Sequence, residues 1–258
     1  MNEVRLDGKV AVVTGGTRGI GRTISERLLA AGAIVYVVAR RPPDTPVTHG
    51  DASARFLAVD VRESDQIQAL FRTIDEEQGR LDVLVNNAGG APPASAATAS
   101  PRFHRAIVAL NLLAPLELAQ HAWARMNTQP EGGLILNIGS IGGQRPSPQT
   151  AAYGAAKAAL HHLTRSLAME WAPRVRVNAV IPGLVATDDS LAHYGDDTSR
   201  ARITRTLASG RFVTPGEVAD ACLLLASPLA ASLTGVHVTV DGGGELPAFL
   251  ALASPSQS

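Results

Sequence analysis

Tyr153 and Lys157 stand four residues apart in Tyr-Gly-Ala-Ala-Lys. That spacing puts both side chains on one face of a helix. A phenol held beside an ammonium is an acid/base device: it can give a proton to a carbonyl oxygen or take one from an alcohol. The chain has three tyrosines and only two lysines, Lys9 and Lys157, against 21 arginines, so the pairing is informative. The plainer reading is a surface tyrosine with an unrelated lysine nearby.

Ser140 follows an apolar run in Gly139-Ser140-Ile141-Gly142-Gly143, where its hydroxyl could hydrogen-bond a reacting oxygen. Asn111, in LNLLAP, interrupts an apolar stripe and needs partners if buried. Pro115, four residues on, removes the donor that would normally meet the Asn111 carbonyl. That carbonyl could hold a water near the site, or Asn111 could simply be a satisfied residue at a helix kink.

A second constellation binds rather than reacts. The run Thr14-Gly15-Gly16-Thr17-Arg18-Gly19-Ile20-Gly21 leads from an apolar strand into a helix. Glycines at 15, 19 and 21 permit a tight turn and close approach of backbone to a pyrophosphate, with free N–H groups at the helix start facing the anion. The next apolar strand ends in Ala39-Arg40-Arg41. An acidic residue there would bind the ribose 2′-OH of NAD, whereas an arginine accommodates a 2′-phosphate. Arg40, with Arg18 from the turn, therefore favours NADP(H) over NAD(H). Between Lys157 and the cationic ring of the oxidised cofactor, the phenol of Tyr153 is expected to ionise more readily than usual. A drop of roughly three units from its ordinary pKa needs about 4 kcal/mol.

The elements that must position these residues read clearly. VAVVT (10–14), IVYVVA (34–39), RFLAVDV (55–61), LDVLVN (81–86), LILNIG (134–139), VRVNAVI (175–181) and VHVTV (236–240) are β-branched and unbroken, as strands buried on both faces are. Helical patterns fall between them at 19–31, 63–78, 102–127, 151–171, 199–208 and 215–226. This alternation implies an α/β fold: a Rossmann-like, doubly wound sheet of about seven parallel strands with helices on both faces. Residues 41–53 are too rich in Pro, Asp and Gly to be regular. The loops 90–101 and 182–198 should line the crevice at the carboxyl ends of the strands.

Composition bounds the rest. Over 258 residues, 45% apolar and 18% charged, with no linker, a single dinucleotide-binding domain across 1–258 is expected. Equal counts of 23 acidic and 23 basic residues argue against a nucleic-acid or anionic-lipid partner. One cysteine, Cys222, and no Cys/His spacing argue against a disulfide or a metal site. With no apolar run near the ~18 residues a membrane span requires, a soluble cytoplasmic protein is expected. The seven histidines, His161 and His162 among them, read as packing or surface residues.

TGGTRGIG (14–21), Asp60, NNAG (86–89), Asn111, Ser140, YGAAK (153–157) and PGLVAT (182–187) together resemble the short-chain dehydrogenase/reductase family in order and spacing, from about residue 6 to Gly243. The resemblance implies Tyr153 as acid/base, with Lys157 lowering its pKa and holding the nicotinamide ribose. Ser140 would orient the substrate oxygen, and Asn111 would anchor a water linking Lys157 to solvent. The turn (Gly15, Thr17, Arg18, Gly19, Ile20, Gly21) would carry the pyrophosphate, with Arg18 and Arg40 matching the NADP-preferring pattern. Asp60 and Val61 would meet the adenine, Asn87, Ala88 and Gly89 would flank the cofactor, and Pro182, Gly183, Val185 and Thr187 would face the carboxamide. It also implies a homotetramer, or a homodimer, built on the long helices 102–127 and 151–171. The stretch 244–258 runs past the family's usual end, and the substrate loop 182–210, with its Asp188-Asp189 and Asp196-Asp197 pairs, fits no particular substrate. The expected activity is NADP(H)-dependent reduction of a ketone, 3-oxoacyl-thioester-like or otherwise hydrophobic. The rivals are an NAD(H)-dependent secondary alcohol dehydrogenase and a non-catalytic nucleotide sensor, separable by assaying hydride transfer with both cofactors.

Overall fold

The computed structural model describes residues 4–249, apart from the side chains of Asp189, Ala192 and His193; the tail from 250 onward, part of the expected extension, lies outside the described residues. Its strands are β1 (Val10–Thr14), β2 (Ile34–Ala39), β3 (Thr48–His49), β4 (Ala52–Ser53), β5 (Arg55–Ala58), β6 (Val83–Asn86), β7 (Gly133–Ile138), β8 (Val175–Pro182) and β9 (His237–Val240). The helices are α1 (Gly19–Ala30), α2 (Ser64–Gln78), α3 (Pro101–Val108), α4 (Ala114–Met126), α5 (Ala151–Trp171), α6 (Asp188–His193), α7 (Asp197–Thr204) and α8 (Pro215–Ala226).

Seven strands form one sheet in the order β5-β2-β1-β6-β7-β8-β9, every neighbouring pair parallel. This is the Rossmann-like, doubly wound arrangement. Alternation along β1 shows why both faces are apolar. Ala11 and Val13 join a core with Ile24 and Leu28 of α1 and with Val218 and Leu225 of α8. Val10 and Val12 point the other way, toward Ile67 and Phe71 of α2, Leu118 of α4 and Trp171 of α5. The strand order reverses between β1 and β6, and that switch point opens a crevice at the carboxyl ends of the strands.

Four expectations need correction. The strand expected over 55–61 stops at Ala58, and Asp60 and Val61 lie in the turn that follows. The helix expected over 102–127 is three pieces: α3, a π-turn over Ala109–Leu113, and α4. A proline at 115 cannot donate to the fourth residue back, so a wider turn takes up the ladder there. Residues 41–53 are not wholly irregular: β3 and β4 form a two-residue antiparallel ladder about Gly50, whose φ is +54°. The connection after β8 holds α6 and the start of α7 rather than loop alone, each capped by a side chain, Thr187 and Asp196.

Candidate active site

The glycine turn is folded back on itself. Gly15 and Gly19 have φ of +63° and +52°, backbone that L side chains adopt at a cost. A Cβ on Gly15 would stand 2.9 Å from Asn87 Nδ2, and one on Gly21 would run into the Gly15 carbonyl. Gly16, which the motif reading passed over, is as tight: its Cβ would lie 2.8 Å from the Val13 carbonyl and 2.9 Å from Val37. Among the described residues no side chain caps the start of α1, so the first N–H groups of the helix, near Thr17 to Ile20, remain an anion site.

Thr14 ties this turn across the switch point. Its hydroxyl accepts from the backbone N–H of Asn87 and of Ala88, each at 3.0 Å, while Asn87 Nδ2 donates to the Thr14 carbonyl at 2.9 Å. Thr14 opens the TGGTRGIG run, but sequence reading gives its hydroxyl no role of its own. Arg40 is exposed at the end of β2 and Arg18 at the turn. Asp60 is gripped by Arg62 through Nε at 2.9 Å, which, with weaker help from Arg40, holds its carboxyl below the usual range. Thr187 reaches the turn from the other side, its Cγ2 3.6 Å from where a Gly19 Cβ would be. Val185 pairs with Val213, and Gly183 leaves no room for a Cβ against Asp241, 2.6 Å away, so Pro182 to Thr187 is fixed wall. A cradle of crowded glycines and an uncapped helix start fit the pyrophosphate of a dinucleotide.

The reactive groups stand at the neighbouring strand ends. Ser140 follows β7, and Tyr153 and Lys157 lie on α5, half-buried and buried respectively. Lys157 Nζ donates to the Ile138 carbonyl at 2.7 Å and lies 5.8 Å from the centroid of the Tyr153 ring. Burial pulls its ammonium down to about 8. In the chain alone burial raises the Tyr153 pKa from its ordinary value, opposed by its hydrogen bond with Ser140; the lowering expected from the sequence needs the cationic ring of the oxidised cofactor as well as Lys157. The Lys157 ammonium spends one N–H on a strand carbonyl while lying near the Tyr153 ring, and desolvation is the largest influence on the phenol in the chain alone.

Asn111 is buried in the π-turn. Its Oδ1 accepts from the Gly90 N–H at 2.9 Å, and its Nδ2 donates to the carbonyls of Gly90 and Ile107. The side chain thus pins the loop after β6 against α3. Gly89 lies directly over it: a Cβ there would stand 2.8 Å from Asn111 Oδ1 and 3.3 Å from Lys157 Nζ. Beneath, Asn86 Nδ2 donates to Asn137 Oδ1 and the Pro115 carbonyl, and Asn137 Nδ2 donates to Thr164 Oγ1. This buried polar ladder locks β6, β7, α4 and α5 together below the site. Asn111, Ser140, Tyr153, Lys157 and Gly89 are therefore brought together, and the glycine turn faces them across the crevice.

A parallel dinucleotide-type sheet with a phenol, hydroxyl and ammonium beside its phosphate turn defines a nicotinamide-dependent oxidoreductase architecture. The family model described as enoyl-(acyl carrier protein) reductase matches residues 15–245. The chain is 36% identical to the 3-oxoacyl-[acyl-carrier-protein] reductase FabG of Vibrio harveyi, covering 93% of this chain and 98% of the relative. It is 38% identical to galactitol 2-dehydrogenase of Rhizobium johnstonii, covering 93% and 96%. The ligand-free aldohexose dehydrogenase of Thermoplasma acidophilum superposes with a TM-score of 0.84 at 30% identity, covering 98% of this chain and 97% of that one. The protein belongs to the short-chain dehydrogenase/reductase family, whose members use NAD or NADP.

Proposed function

We propose that the protein is an NADP(H)-dependent oxidoreductase that interconverts a ketone and a secondary alcohol, working chiefly as a ketone reductase. A bound nicotinamide supplies or accepts the hydride at the substrate carbon. Gly15 to Gly21 hold its pyrophosphate, Arg18 and Arg40 its 2′-phosphate, and Asp60 with Val61 the adenine. Asn87 to Gly89 and Pro182 to Thr187 form the two walls of its nicotinamide half.

The observation that carries the reading is the half-buried phenol of Tyr153 hydrogen-bonded to Ser140, with Lys157 Nζ 5.8 Å from the centroid of its ring. Ser140 holds the carbonyl oxygen by a hydrogen bond, and Tyr153 Oη gives that oxygen its proton. Lys157 anchors the ribose and stabilises the phenolate left behind. Asn111 keeps Gly90 and the π-turn in place beneath it. Ala91, Pro92, Phe103 and Ile107 stand beside Tyr153 together with the polar His104, Gln149 and Thr150, and the apolar members of that wall favour a neutral ketone. So do the reductase of Vibrio harveyi named for 3-oxoacyl carriers and the 3α-hydroxysteroid dehydrogenase of Mediterraneibacter gnavus, 35% identical. The active form is proposed as a homotetramer.

A carbonyl panel assayed with NADPH and NADH tests this. Turnover with NADPH on at least one ketone is expected, falling at least ~100-fold in Tyr153→Phe, the usual worth of a general acid. Full activity in that variant would overturn the assignment. Arg40→Asp should erase or reverse the preference for NADPH, read by fluorescence titration.

A further inference from the structure

The polar face of α5 continues past Lys157. One turn on, His161 is buried, and its Nε2 accepts the backbone N–H of Ser140 at 3.4 Å. The glycines on either side of Ser140 are shaped around that ring. A Cβ on Gly139 would run into His161 Nε2, and one on Gly143 would stand 2.8 Å from Cε1. Behind it lies His237 of β9, with the ring centroids 5.4 Å apart.

An imidazole nitrogen that accepts a hydrogen bond carries no proton, so His161 is neutral with its proton on Nδ1. Its surroundings enforce this. Burial comes first, then His237 from β9 and Lys157 and Arg165 from α5 itself, and together they pull its pKa to about 4. Residues 139–143 contribute no ionisable side chain. Filling space needs only an apolar group of this volume. A neutral acceptor aimed at one amide, between two glycines that cannot be anything larger, does more.

We propose that His161 is a positioning residue for Ser140: its neutral imidazole holds the Ser140 amide and so sets where the Ser140 hydroxyl meets the reacting oxygen. The proposal rests on the role given to Ser140 above. Three proteins test it: the parent, His161→Leu (similar volume, no acceptor) and His161→Gln (an acceptor at similar reach). On an accepted ketone, kcat should fall ~10-fold in the Leu variant and stay within about threefold in the Gln variant, the worth of one net hydrogen bond. NADPH affinity should be unchanged in both. In ¹⁵N-serine-labelled parent, the Ser140 amide resonance, identified by its loss in Ser140→Ala, should shift as the pH approaches about 4 and His161 protonates; in the Gln variant it should not. Equal kcat in parent and Leu variant, equal losses in both variants, or a parent resonance indifferent to pH overturns the proposal. If the parent reduces no ketone, the functional reading fails, and the resonance alone decides the imidazole–amide link.

Discussion

Partial burial raises the Tyr153 phenol from its ordinary pKa in the chain alone, which suits it to proton donation. A phenol held above 10.0 is a ready acid for ketone reduction and a reluctant base for alcohol oxidation. Reduction should therefore be flat from neutral to mildly alkaline pH, while oxidation of the matching alcohol rises steadily with pH; initial rates in both directions measure this. Lys157 gives a stability prediction. Its ammonium leaves at about 8 in the folded chain but at about 10.4 in an unfolded one. Between those values the unfolded state binds more protons, so stability rises with pH, and below pH 8 the buried charge costs the most. Lys157→Met removes that cost, although it leaves the Ile138 carbonyl without its donor. Urea denaturation should show the stability of the variant relative to the parent falling by about 2 kcal/mol between pH 7 and pH 10. A constant difference would mean that Lys157 is not held at a depressed pKa.

At the scale of elements, the glycine turn tolerates no added side chain at its tightest position. A Cβ on Gly21 would collide with the Gly15 carbonyl and with Asn87 Nδ2, backbone and a side chain already committed to Thr14. Gly21→Ala should cost about 1–3 kcal/mol of stability and weaken NADPH binding, read by thermal melting with and without cofactor. The central strands and the turn between β1 and α1 were legible in sequence because continuous Val/Ile runs and a glycine trio follow directly from burial and from anion binding. Tyr153, Lys157 and Ser140 were legible too, by spacing and by their place after a strand. The π-turn was not: Asn111 and Pro115 mark a disturbance, but its outcome depends on the Gly90 backbone arriving from another element. Nor was the β3–β4 ladder, which is too short for periodicity and is held from outside, where Arg22 of α1 donates to the carbonyls of Thr45 and Pro46. Sequence shows that a lysine is near Tyr153, not that its ammonium also donates to the Ile138 carbonyl. His161 read as packing since its amide partner lies 21 positions away.

On the scale of the whole molecule, several large apolar side chains stay open to solvent. Met169 on α5 is 86% exposed and Leu113 on the π-turn 53%. Leu229, beyond α8, is 83% exposed, with Leu224 and Leu233 nearby in sequence. Large side chains so exposed are normal singly, but grouped on helix faces they mark association surfaces. Met169 lies on the helix that carries Tyr153, Lys157 and His161, and Leu113 on the turn that holds Asn111. Covering that helix would stiffen the acid/base machinery from outside, whereas Leu229 lies between α8 and β9 in the chain. The two therefore predict separable effects. If the active form is the proposed tetramer, light scattering should give a tetramer for the parent and dimers for both Met169→Glu and Leu229→Glu, each charge being expected to open a different interface. Only Met169→Glu should also lower kcat, by an expected ~3- to 10-fold, a loss of under about 1.5 kcal/mol in transition-state stabilisation, with NADPH affinity intact. A monomeric parent, or a Met169→Glu tetramer with unchanged kcat, would leave α5 rigid on its own contacts: the polar ladder through Asn137 and Thr164, and the apolar seat of Trp171.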